Sequence, residues 1–140
     1  MSARRRVRDR AASPREADES RDVRHLRVLL APGRPLGPGQ VDLLQHIREA
    51  GSIAAAGRRM GMSYRRAWHL VASLNGLFQE PVVETQRGGP GHGGARLTHL
   101  GDQVLATFRR MERQAEKALA KDLARLRALI RDDLREPPAP

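Results

Sequence analysis

Arg58, Arg59, Arg65 and Arg66 fall within nine residues, and from Ala50 to Gln79 the chain carries no carboxylate side chain. A guanidinium offers a planar fork of donors that engages phosphate oxygens, or guanine O6 and N7, in pairs. With no acid nearby, the local field draws in a polyanion. Ser52, Ser63, Tyr64 and His69 stand among these arginines with groups able to hydrogen-bond phosphates or base edges. This is the chemistry of recognition. No nucleophile, base and acid are arranged for catalysis, and no carboxylate pair is set in an apolar stretch, so an enzyme is not expected. The histidines at 25, 46, 69, 92 and 99 are scattered, and there is no cysteine. Neither a metal nor a cofactor is therefore expected.

The elements that must hold these residues are legible around them. From Gln40, Val41, Leu44, Ile47 and Ala50 recur at helical spacing and Gly51 stops the run, which predicts a first helix over about 39–50. Ser52 caps a second helix with Ile53, Ala56 and Met60 on its inner face. Gly61 supplies a left-handed turn, and Ser63 caps a third helix over about 63–79. Its apolar set is Ala67, Val71, Leu74 and Phe78, with Trp68 expected to pack behind the reading surface. Two short helices joined by a glycine turn are a helix-turn-helix, whose second helix meets base edges through its first turns. Tyr64, Arg65, Arg66 and His69 occupy those turns, and Arg58 and Arg59 end the preceding helix within reach of phosphate. The plainer alternative is an amphipathic helix with ordinary surface charges.

Upstream, His25–Leu30 is a short β-prone run, broken by the Pro- and Gly-rich stretch 31–39. Downstream, Pro81 ends the helical part. Val82–Thr85 and Ala95–Leu97 read as two strands joined by a glycine loop, 88–94. Neither the Gly-Lys-Ser/Thr of a phosphate-binding loop nor a helix directly after the glycines is present. The hairpin is expected to be a wing, with Arg87 and Arg96 holding phosphates or entering the minor groove; a hairpin without such contacts is the alternative. Thr98 caps a long helix from His99 to about Leu134, with apolar residues at steps of three or four from Leu100 onward and Arg109 on the opposite face. Such a stripe outruns a small domain. Phe108, Met111, Leu119, Leu123, Leu126 and Ile130 are expected to bury themselves against a second copy.

The 140 residues allow one small domain with tails, and 26 basic against 16 acidic residues give a net charge of +10. A GC-rich coding bias explains why only Lys117 and Lys121 are lysines, but not the net charge. Four aromatic residues are too few for a single-strand stacking platform. No apolar run nears the roughly 18–20 residues needed to span a bilayer, and no signal peptide is legible. No membrane partner is expected, and the reducing cytoplasm, at the nucleoid, suits a chain without cysteine. The expected division is a disordered basic arm (1–23, or simply a solvated tail), a winged helix-turn-helix domain (24–98), a long dimerisation helix (99–135) and a tail (136–140).

Gly51-Ser52-Ile53 with the alanines that follow, Gly61-Met62-Ser63-Tyr64-Arg65-Arg66-Ala67-Trp68, Leu74-Asn75, the wing glycines, and Ala95-Arg96-Leu97-Thr98 with Gly101 form a set. Together they resemble the N-terminal DNA-binding domain of the molybdate-responsive ModE-type regulators, relatives of the LysR-type winged helix. The resemblance covers about residues 24–125. It implies a transcriptional regulator, dimeric through the long helix, that binds an inverted repeat in duplex DNA. It places the recognition role on Ser63 to Arg66 and the wing role on Arg87 to Arg96. Pro90 and His92 interrupt the wing glycines, and the chain ends after the long helix with nothing matching the regulators' oxyanion-binding module. Molybdate sensing is accordingly not expected, and no effector is assigned.

The expected fold is thus mainly α with a small β-hairpin, a winged helix-turn-helix followed by a long dimerisation helix. The expected function is sequence-specific binding of duplex DNA as a homodimer. A winged-helix module that docks on protein, or a direct oxyanion sensor built on clustered arginines, are the alternatives.

Overall fold

The computed structural model describes residues 22–23, 25–87 and 93–135. The arm 1–21, the wing tip 88–92 and the tail 136–140 lie outside them. Two strands, β1 (Val28–Ala31) and β2 (Arg34–Leu36), precede three helices: α1 (Pro38–Ala50), α2 (Ile53–Arg59) and α3 (Tyr64–Leu77). A second hairpin, β3 (Val83–Arg87) and β4 (Gly93–Leu97), leads into α4 (His99–Leu129), and a 3-10 turn follows at Asp132–Leu134.

Each helix starts where the chain supplies a stop for its unpaired N–H groups. Pro38 opens α1, and the Gln40 carboxamide accepts the Gly37 N–H at 2.9 Å. The hydroxyls of Ser52, Ser63 and Thr98 accept from the N–H groups of Ala55, Arg66 and Gly101 at 3.0, 3.1 and 3.1 Å. Gly61 adopts φ 68°, as the turn between α2 and α3 demands of a residue without a Cβ.

One core joins all of this. Val41, Leu44 and Ile47 of α1 meet Ile53 and Ala56 of α2, Ala67, Val71 and Leu74 of α3, and Val82, Val83 and Ala95 of the wing base. Leu105 and Phe108 of α4 close it. Phe108 is only 1% exposed. It is therefore spent inside its own domain, and its expected place on a dimer face is corrected. The first half of α4 thus packs on the same core as the three helices and the wing base.

Arg109 is a second correction. Its side chain, 16% exposed, turns inward and ties α4 to α1. The guanidinium donates to Asp42 at 2.8 Å, to Gln45 at 2.6 and 3.0 Å, and to Glu112 at 2.9 Å. Burial opposes the charged form, but the hydrogen bonds it donates to Glu112 and Asp42 outweigh this and hold its pKa above the ordinary value. At the docked end of α4, a Cβ on Gly101 would collide with the Val82 carbonyl, whose oxygen also accepts the Thr98 N–H at 3.0 Å. Only glycine fits this crossing.

Several boundaries differ from the sequence reading: the wing strands run longer than Val82–Thr85 and Ala95–Leu97, to Val83–Arg87 and Gly93–Leu97. The stretch 31–39 does not simply break a lone strand: Val28 pairs with Leu36 and Leu29 with Pro35, making an antiparallel hairpin. The long helix ends at Leu129; Ile130 is extended, and a 3-10 turn replaces the last helical turn.

Candidate nucleic-acid interface

Ala67, Val71 and Leu74 fix the inward direction of α3. Tyr64, Arg65, Arg66, Trp68 and His69 all face solvent over its first turns. Arg65 and Arg66 have no ion-pair partner among the described residues. The next acids, Glu49 and Glu80, lie outside this stretch. The capped, positive N-terminal end of the helix adds to the field of the guanidiniums. The outward surface combines donors, aromatic area and uncompensated positive charge.

The flanking arginines differ from one another. Arg58, exposed at the end of α2, has no ion-pair partner among the described residues, whereas Arg59 approaches Glu49 at 3.5 Å. On the wing, both Nε and Nη2 of Arg96 donate to a single Glu84 oxygen, at 3.4 and 3.3 Å. Its charge is half spent across the hairpin. Arg87 pairs in register with Gly93 at the top of the strands. Ser52 and Ser63 have their oxygens engaged as caps, which leaves each hydroxyl hydrogen to donate outward.

One side chain ties the wing root to the reading helix. The Asn75 carboxamide of α3 accepts from the N–H groups of Val82 and Val83 at 2.9 and 3.1 Å and donates to the Val83 carbonyl at 3.2 Å. Across the hairpin, the Ala95 N–H donates to the Gly51 carbonyl at 2.9 Å. From the other side, Arg34 of the first hairpin reaches the Gly76 carbonyl near the end of α3 at 3.3 Å.

Trp68 does not pack behind the surface, as expected; it is 47% exposed on the surface itself. Phasing the helix on Ala67, Val71 and Leu74, rather than on the four-residue step from Tyr64, would have placed it outside. In an open groove between α1 and α4, Arg48, Arg109 and Arg113 are matched by Asp22, Glu112 and Glu116, and Arg109 makes four hydrogen bonds to Asp42, Gln45 and Glu112.

Three helices, a glycine turn and a wing beside an acid-free helix face define a winged helix-turn-helix. Residues 38–102 match the family of bacterial regulatory helix-turn-helix proteins of the LysR type. The chain is 42% identical over 84 residues to the molybdenum-pterin-binding protein MopA of Rhodobacter capsulatus, covering 60% of this chain and 32% of that one. It is 39% identical over 103 residues to MopB of the same organism, covering 74% and 38%. Against the DNA-binding transcriptional dual regulator ModE of Escherichia coli K12 it is 35% identical over 81 residues, covering 58% and 31%. The matched stretch is about a third of the length of these relatives. The chain carries a helix-turn-helix domain of the ModE type.

Proposed function

We propose that this protein regulates transcription by binding duplex DNA in a sequence-specific way, as a homodimer on an inverted repeat. The observation that carries the reading is the exposed, acid-free first half of α3, where Arg65 and Arg66 stand without carboxylate partners among the described residues, beside a wing root bonded to the same helix. The first turns of α3 enter the major groove; Arg65, Arg66 and His69 supply donors for base edges and phosphates, and Tyr64 adds a hydroxyl. Arg58, Arg59, Ser52 and the wing arginines Arg87 and Arg96 hold the flanking backbone. Dimerisation falls to the distal half of α4. There Leu119, Leu126 and Leu129 are exposed, with Leu126 61% and Leu129 80% accessible, and Ile130 just past the helix end is exposed too; Leu123 and Met111 are half-buried on the same helix. Two such copies place their reading helices about one helical turn apart along the duplex.

Selection from random duplexes, followed by a salt titration on the recovered sequence, tests the reading. A two-fold symmetric motif is expected, with affinity falling roughly a thousandfold or more between 50 and 200 mM salt if six or more phosphates are contacted. Recovery of no motif, or binding indifferent to salt, overturns it. The latter outcome favours a protein-docking module.

A further inference from the structure

The duplex-binding reading leaves an exposed tryptophan on α3 without a role. At about 100° per residue, the inward row Ala67, Val71 and Leu74 puts Arg65 and His69 close to the outward crest of the helix. Ala72 and Gly76 continue that crest with side chains small enough to let a nucleic acid approach. Trp68 lies about a quarter turn to one side. Asn75, two turns further on and in the same row, is bonded to the start of β3, so this flank is the one that faces the wing. Tyr64 lies one turn before Trp68 on the same side and is 57% exposed. Arg66 occupies the opposite flank. When a helix lies in a major groove, its crest meets the base edges on the floor and its flanks meet the sugar–phosphate walls.

We infer that Trp68 is a DNA contact. Its indole packs on the sugar–phosphate strand that passes between α3 and the wing, with its N–H directed to a phosphate and Tyr64 extending the same aromatic wall. This rests on the duplex-binding reading and assigns within it a sequence-neutral positioning contact. The choice of a nucleic acid as occupant comes from charge. The residues beside the indole on this helix are Arg65 and His69, Arg66 lies on the far flank, and no carboxylate side chain lies between Ala50 and Gln79. An indole offers a large apolar face with one donor at its rim, which suits deoxyribose beside phosphate.

Trp68 is the only tryptophan in the chain, so its emission reports on this site alone. The full chain is titrated with a mixed-sequence duplex of about 30 base pairs, long enough for two half-sites one turn apart, and with the duplexes recovered from that pool by selection. At saturation the indole is expected to be shielded from acrylamide on both. Trp68→Ala is expected to weaken binding to both by a similar factor, about tenfold, with the recovered motif unchanged. Trp68→Phe, which keeps a ring and most of the packing, is expected to recover part of the loss and guards against a folding defect. The inference is overturned if the indole stays open to acrylamide on a duplex that the chain binds with steep salt dependence; the duplex-binding reading then still stands. It is also overturned if Trp68→Ala changes the recovered base at one position, which would make the indole a groove-floor contact. If the wild-type chain binds neither duplex, both readings fall.

Discussion

Apolar area is left uncovered in two places, and the company it keeps is different in each. On α3, Tyr64 and Trp68 are exposed among Arg65, Arg66 and His69, with no acid nearby. On and just past the distal half of α4, Leu119, Leu126, Leu129 and Ile130 are exposed beside Lys117, Lys121, Asp122, Arg125 and Arg127, and Arg127 is paired with Asp22 at 2.8 Å. Aromatic rings with polar rims and one sign of charge suit a polyanion. Aliphatic side chains with mixed charge suit another protein surface, where a neutralising partner is available. Exposed hydrophobicity alone would have pooled the two surfaces; the surrounding charge separates them.

The comparison can be broken at its root. Gly101→Ala drives a Cβ into the Val82 carbonyl, where α4 crosses the wing base. The expected loss is roughly 3 kcal/mol or more, read as a lower melting temperature, and both surfaces are lost together because α4 no longer docks. A preserved melting temperature would show that the crossing tolerates a side chain. Replacing Leu119 and Leu126 by Asp should separate the surfaces instead. Self-association, measured by analytical ultracentrifugation, is expected to weaken on the order of 100-fold, while the monomer melts as before. If mass distributions of the variant and parent coincide, the distal face is not the dimer contact. Arg65→Ala is expected to leave self-association untouched and to cost roughly 1–3 kcal/mol in duplex affinity, with relaxed preference at one base position. Unchanged affinity and motif at fixed salt would remove Arg65 from the reading surface.

The smallest expected effect tests neither surface but the core that joins them. His46 is buried, and its Nδ1 has no hydrogen-bond partner among the described residues. Burial lowers its pKa below the ordinary 6.5; Glu49 opposes this, Arg59 adds to it, and Asp42 and Arg109 act in the same opposed senses. The unfolded chain therefore binds the proton more readily than the folded one. The resulting contribution to stability is present above pH 6.5 and is lost as pH falls through the lower, folded value. Melting temperatures from about pH 8 down to about pH 5 should show a decline that His46→Gln flattens. Parallel curves for the two proteins would remove His46 as the source.

The helix-turn-helix itself was readable because its signals are local. Ser52, Gly61 and Ser63 act within three residues of where they stand, and helical spacing exposes Ala67, Val71 and Leu74. The hairpin of β1 and β2 was missed because Pro32 and Gly33 mark an ending as readily as a two-residue turn, and only the pairing of Val28 with Leu36 decides between them. Arg109 was misplaced for a related reason. An inward arginine on a helix looks like a surface charge until Asp42 and Gln45, more than sixty positions earlier, are seen to meet it. Phe108 belonged to an unbroken apolar stripe, and sequence spacing does not show where along that stripe the protein's own core ends and a partner begins.

The Asn75 carboxamide has a consequence for the DNA as well as for the protein. With three hydrogen bonds it welds the reading helix to the root of the wing, and the bond from Ala95 to Gly51 braces the hairpin from behind. Under the proposed duplex reading, helix and wing root act as a caliper of fixed opening, set for one separation between a major groove and the minor groove beside it. The duplex is the softer body, so bending and groove narrowing fall to it. Their cost depends on the base steps being deformed. In this reading, operators are ranked by stiffness at positions no side chain touches, as well as by the bases under Arg65.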